Sequence, residues 1–140
     1  MSDPLSRVPA RKILLVEDEG FLRRIFKGRL VKEGYEVTDV ESAERALERL
    51  PELRPDLIIL DLYLPKMSGF DFLKLLKADP ALRDIPVVIL SGLGQESDIR
   101  KGLELGALEY VVKANVSPRE LLAKISKLLA RKAGGQPQEG

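Results

Sequence analysis

Leu57-Ile58-Ile59-Leu60-Asp61 is the stretch that decides the fold. A short apolar run bounded by Asp56 and Asp61 is too brief for a helix and reads as a strand buried on both faces. Two further runs follow the same pattern. Ile13-Leu14-Leu15-Val16 stops at Glu17 and Asp18, and Tyr110-Val111-Val112 stops at Lys113. If these strands lie parallel in one sheet, their last residues meet at one edge. Glu17, Asp18, Asp61 and Lys113 would then share a crevice. Carboxylates that crowd together repel one another and call for a cation.

Working outward, strands are expected at 12–17, 35–40, 56–61, 86–91 and 109–113, with helical periodicity filling the gaps. In the first gap Leu22, Ile25, Phe26 and Leu30 share a face, and Arg23, Arg24 and Lys27 point away from it. Gly34 reads as the glycine just past the helix end. The second helix turns Ala43, Ala46, Leu47 and Leu50 inward, with Ser42 as N-cap and Pro51 as stop. The third, 68–78, turns Phe70, Leu73 and Leu76 inward. The fourth, 96–105, contains Gly102, which costs roughly 1 kcal/mol against alanine and predicts a soft element. The last opens on Ser117-Pro118-Arg119-Glu120, a capping box with proline at the first helical position. Its apolar stripe is Leu121, Leu122, Ile125, Leu128 and Leu129.

Strict alternation of strand and helix implies an α/β, doubly wound parallel sheet with helices on both faces. Ligands of such sheets bind beyond the carboxyl ends of the strands. No internal repeat or second domain is visible. Residues 1–10 read as a short N-terminal tail, 11–132 as the domain and 133–140 as a disordered C-terminal tail.

Composition narrows the chemistry. A chain of 140 residues is long enough for a real core. The formal net charge is +1 with acid and base interspersed, so no clustered basic face speaks for direct contact with nucleic acid. Cysteine is absent, which removes disulfides and thiolate metal sites. Histidine is absent too, which removes Ser/His and Cys/His dyads. Hard-cation chemistry through carboxylates remains. No apolar run has signal-peptide or membrane-spanning length, so the expected location is cytoplasmic, with no membrane partner.

The segments Ile13-Leu14-Leu15-Val16-Glu17-Asp18-Glu19, Asp56 through Gly69 (with Asp61-Leu62-Tyr63-Leu64-Pro65 at its centre) and Tyr110-Val111-Val112-Lys113 together resemble the receiver domains of two-component response regulators. Within that family it resembles the single-domain, chemotaxis-type regulators. The resemblance runs from about Arg11 to Lys132. It implies a flavodoxin-like five-stranded sheet of order 2-1-3-4-5 with five helices. It also implies roles. Asp61 would accept a phosphoryl group from a sensor histidine kinase or a histidine phosphotransfer protein. Glu17, Asp18 and Asp61, with the backbone carbonyl of Tyr63, would hold Mg²⁺, or Mn²⁺ in its place. Ser91 would hydrogen-bond the phosphoryl group and Lys113 would pair with it. Ser91 and Tyr110 would form the switch that moves a surface built from the fourth helix, last strand and last helix. That surface would meet a downstream protein target, the molecule being a monomer or a dimer formed on phosphorylation.

Residue types support these roles. A carboxylate can attack phosphorus to give an acyl phosphate. Phosphoryl transfer is mostly positioning and charge neutralisation. Taken singly, Asp18 could be a helix cap, Ser91 a strand terminator, Lys113 an exposed strand end and Tyr110 core packing. Jointly, those bland readings require a coincidence at every strand end. The chain departs from the family pattern where Ala114, not proline, follows Lys113, which speaks against a cis peptide there. Ser91 stands in place of the commoner threonine, and Leu64 in place of methionine. Tyr63 and Leu93, two residues past Asp61 and Ser91, are large, which predicts slow self-dephosphorylation.

Alternatives stay open. An aspartyl-phosphate phosphatase-like enzyme would want a second aspartate where Tyr63 stands. A flavin-binding module would want a Ser/Thr/Gly-rich loop where Glu17-Asp18-Glu19 stands. A degenerate receiver acting as a scaffold would lack part of this set. A self-phosphorylating receiver needs no further enzymatic activity. Neither the partner kinase nor the output is named by the sequence, and a stand-alone receiver and a fragment of a longer protein are both compatible with it.

Overall fold

The computed structural model describes residues 10–133, with side chains described as far as Ala130. The expected N-terminal and C-terminal tails lie almost wholly outside the described residues. Strand and helix alternate throughout: β1 (Lys12–Val16), α1 (Gly20–Lys32), β2 (Glu36–Val40), α2 (Ala43–Leu53), β3 (Leu57–Leu60), α3 (Gly69–Ala78), β4 (Val87–Ser91), α4 (Glu96–Glu104), β5 (Glu109–Val112), a 3-10 turn (Lys113–Asn115) and α5 (Pro118–Ala133). All strand pairs are parallel and the order is β2-β1-β3-β4-β5, as the resemblance implies.

Central strands β1, β3 and β4 are buried along almost their full length, which explains why they read as unbroken apolar runs. Alternate residues feed two cores. Leu14, Val16, Ile58, Leu60, Val87 and Ile89 face α2 and α3. Ile13, Leu15, Leu57, Ile59, Val88 and Leu90 face α1 and α5. Each such side chain contributes roughly 1.5–3 kcal/mol on leaving water.

Local chemistry sets most helix boundaries. Ser42 Oγ accepts from Arg45 N at 3.1 Å, as expected of an N-cap. The Ser117–Glu120 capping box closes reciprocally at 2.8 and 3.1 Å. Gly34, at φ +100°, ends α1 in the left-handed region that glycine enters without steric cost.

Three expectations need correction. Pro51 does not stop α2, which runs on to Leu53 and ends on Arg54 at φ 49°. Proline in the last turn removes only one ladder bond, and the Arg54 N–H donation to the Leu50 carbonyl still closes the end. In α3 the fully buried aromatic is Phe72, not Phe70. The inward face is Gly69, Phe72, Leu73 and Leu76, spaced i, i+3, i+4, i+7, and Phe70 lies at its margin under the Lys101 ammonium, 4.4 Å from the ring centre. In α1, Arg23 and Lys27 turn toward β2 rather than to open solvent, because Asp39 waits there. No helix among the described residues is long and apolar enough to cross a membrane.

Candidate functional site

Register brings the strand ends level. Val16 pairs with Leu60, Leu60 with Ile89, and Ser91 with Val112. Glu17 and Asp61 each follow the last residue of a strand, and their amides continue the ladder by donating to Val40 and Val16 carbonyls, both at 3.0 Å. The carboxyl edge of the sheet therefore carries Glu17, Asp61 and Lys113 side by side.

Lys113 Nζ lies 2.9 Å from Glu17 Oε1 and 3.0 Å from Asp61 Oδ2. The other oxygens are also engaged. Glu17 Oε2 accepts from Glu19 N at 3.0 Å and Asp61 Oδ1 from Tyr63 N at 3.1 Å. Glu17 is 2% exposed and Asp61 5%, so both carboxylates depend on these donors. Burial pushes the Glu17 carboxyl above its usual range, against the lowering pull of Lys113 and the Glu19 amide. Burial alone would lower the Lys113 amine, but hydrogen bonds to Glu17 and Asp61 carry it above its usual value.

A pocket of about 390 Å³ opens over this edge, lined among others by Asp18, Tyr63, Gly92 and Leu93 beside the three paired residues. Asp18 is exposed at its rim. It does not cap α1: that role falls to Glu19, whose Oε1 accepts from Leu22 N at 2.9 Å. Among the described residues no three carboxylates stand close enough to form a ready-made cation cage. The donor chemistry nonetheless fits a small hard cation. Glu17, Asp18 and Asp61 offer only oxygen, and against one ammonium their formal charge is −3 + 1 = −2.

Ser91 and Tyr110 lie behind the pocket rather than in its lining. Ser91 is fully buried, and its Oγ accepts from Leu93 N at 3.2 Å. The Tyr110 hydroxyl donates to the Leu93 carbonyl. Burial raises the Tyr110 phenol, helped by the Asp98 charge. Its ring packs on α4 at Gly102, where a Cβ would stand 3.0 Å from Tyr110 Cδ2 and 2.7 Å from Ile89 Cδ1. The glycine expected to soften α4 is thus also a packing requirement. The Lys113–Ala114 peptide is trans, and Lys113 opens the 3-10 turn that leads to α5.

Two features escaped the sequence reading. Gly69 approaches the chain after β3 so closely that a Cβ would lie 2.5 Å from Leu62 Cα and 2.6 Å from the Asp61 carbonyl oxygen. Arg23 donates to the carbonyls of Glu17 and Asp18, at 2.9 and 3.3 Å. A glycine beside an N-cap serine signals the first only weakly. The second was hinted at by a basic pair one helical turn apart, Arg23 and Lys27, with an acid near the end of β2.

Known proteins share this architecture. A family profile described as the response regulator receiver domain matches residues 13–126. The phosphate regulon transcriptional regulatory protein PhoB of Klebsiella pneumoniae is 44% identical over 122 residues, which are 87% of this chain and 53% of that protein. The chain thus spans about half the length of the curated relatives it matches. The chemotaxis protein CheY4 of Vibrio cholerae superposes with a TM-score of 0.79 at 28% identity, over 85% of this chain and 98% of that one. The Mn²⁺-bound form of the response regulator Rcp1 matches with a TM-score of 0.68 at 33% identity, over 74% of this chain and 81% of that one. With a five-stranded sheet of this order and Glu17, Asp61 and Lys113 gathered at its carboxyl edge, the chain belongs to the receiver domain family of two-component response regulators, a signalling rather than a catalytic family.

Proposed function

We propose that Asp61 is the phosphoacceptor of a phosphorelay, served by a divalent-cation site at Glu17, Asp18, Asp61 and the Tyr63 backbone carbonyl. The observation that carries this reading is the Lys113 ammonium shared between two nearly buried carboxylates at the floor of an open pocket. An ammonium held there marks the place where positive charge is wanted. Mg²⁺, or Mn²⁺, would supply further charge neutralisation for the transferring phosphoryl group.

The protein's own residues do the rest. One Asp61 oxygen attacks phosphorus while the donor's P–N bond breaks. The electron pair returns to the donor imidazole, which takes up a proton, and Asp61 becomes an acyl phosphate. Lys113 exchanges its hold on the Asp61 carboxylate for a phosphoryl oxygen. Ser91 turns its hydroxyl toward the new anion, which releases the Leu93 amide it now accepts. Since the Leu93 carbonyl also anchors Tyr110, the displacement reaches the ring packed on α4. The face formed by α4, β5 and α5 shifts population between two arrangements. Its partners are a sensor histidine kinase or phosphotransfer protein upstream and a protein target downstream, in the cytoplasm. Residues 11–132 form the whole receiver, acting as a monomer or as a dimer formed on phosphorylation. Beyond phosphotransfer and self-dephosphorylation the domain turns over no substrate.

Mass spectrometry after incubation with acetyl phosphate and Mg²⁺ tests the reading. Wild type should gain one phosphate and Asp61→Asn none. Repeated turnover of generic phosphate esters would point instead to a phosphatase.

A further inference from the structure

Arg23 leaves α1 sideways and joins three elements. Its Nη1 reaches the carbonyls of Glu17 and Asp18, after β1, at 2.9 and 3.3 Å, while its Nε donates to Asp39 Oδ2 on β2 at 3.1 Å. Asp39 Oδ1 accepts in turn from Lys27 Nζ at 2.8 Å. The Arg23 and Asp39 side chains are only 21% and 23% exposed, so the arrangement is held in a largely dry setting. A planar guanidinium with donors in fixed directions sets the orientation of what it binds. Here it binds the main chain of the two acidic residues themselves, and the direction of those carbonyls fixes where the carboxylates project.

We propose that Arg23 is a positioning residue for the divalent-cation site: it locks the Glu17–Asp18 main chain so that both carboxylates serve one ion, and Asp39 holds the guanidinium to that task. The inference rests on the metal-binding reading above. Electrostatics alone argues the opposite way, because a guanidinium near the site repels a cation. That opposition separates the two accounts. If orientation dominates, removing Arg23 weakens ion binding; if charge dominates, removal tightens it. Lysine keeps the charge and loses the fork, so it should not restore binding.

The test is a Mn²⁺ titration of the full chain, read from the paramagnetic resonance of free aqueous Mn²⁺, beside circular dichroism and thermal melts. Arg23→Gln should weaken Mn²⁺ binding about tenfold, as loss of a residue that orients metal ligands does. Arg23→Lys should weaken it nearly as much, and Asp39→Asn to a smaller extent, with cooperative melting kept. Binding by Arg23→Gln as tight as wild type, or tighter, overturns the proposal and leaves the metal site standing. Absence of Mn²⁺ binding by wild type overturns the metal site itself, and the proposal with it. Should Arg23→Gln not fold, Asp39→Asn decides, and an unchanged affinity there overturns the proposal.

Discussion

Lys113 donates to Asp61 Oδ2 at 3.0 Å while its ammonium also lies 2.9 Å from Glu17. One cation thus answers two carboxylates that have almost no solvent of their own. Lys113→Ala should leave them facing each other unneutralised and cost about 1–3 kcal/mol, with the lower half favoured because the lysine is partly solvated. Added Mg²⁺ should return much of that loss. Labelling by acetyl phosphate should slow by roughly 10²-fold, the scale for removing one donor from a developing anion. Urea denaturation with and without Mg²⁺, beside the rate of mass gain, checks both. A metal-free variant as stable as wild type would falsify the counter-ion role.

Gly69 and Gly28 make a matched pair. An alanine at Gly69 meets the backbone of Leu62 and Asp61 at 2.5 and 2.6 Å, and neither can yield without moving the loop that carries Asp61. Gly69→Ala should destabilise by about 1–3 kcal/mol and slow phosphorylation of Asp61. At Gly28, in α1, nothing lies within 4 Å of the added carbon, so Gly28→Ala should stabilise by roughly 0.5–1 kcal/mol. Denaturant midpoints of the two variants should move in opposite directions.

Tyr63 stands 78% exposed and lines the pocket together with Leu93. Both are bulky, and Leu93 has no polar side-chain atom to orient a water molecule. Changing both to asparagine should hasten loss of the phosphoryl group, by up to roughly 10²-fold if a polar group comes to direct the attacking water. Decay of the phosphorylated fraction on an intact-mass time course measures it. An unchanged decay rate would remove these side chains from the account of phosphoryl lifetime.

Asp39 supplies a pH signature. Burial alone would raise its carboxyl, but Lys27 and Arg23 more than reverse that and hold it below the ordinary aspartate value of 3.8. The folded state therefore favours the ionised form. The stability gained is full above 3.8 and is lost as pH falls through the lower folded value. Asp39→Asn should be less stable than wild type near neutrality by roughly 1 kcal/mol or less, and the gap should narrow as pH falls below 3.8 and close beneath the lower folded value. Thermal melts across that range show whether it closes.

The sheet could be read from sequence because its central strands are buried on both faces, and two of them, β1 and β3, run straight into Glu17 and Asp61. Leu57 through Asp61 contains the strand, its burial and its chemistry in one line. Helix faces were harder. In α3 the inward stripe begins at Gly69, which carries no hydrophobic signal, so Leu73 and Leu76 mark the face correctly while Phe70 and Phe72 compete for its aromatic position. Pro51 misled because a proline ends a helix only where the lost bond matters, and one turn from the end it hardly does. Asp18 and Glu19 are both acidic residues near the start of α1, and only geometry tells which of them caps it. Arg23 was hidden for a different reason: its partners are mostly main-chain oxygens, which every residue has and no sequence pattern marks.

The position of Leu93 bears on how such a device can be adjusted. Its amide and carbonyl make the contacts to Ser91 and Tyr110, and the residue lines the pocket while packing on the core beneath α2 and α3. If Asp61 is the phosphoacceptor, duration and transmission meet at this one residue, with transmission carried by its main chain. A substitution there would then reset how long a message lasts while the main-chain route of its delivery remains.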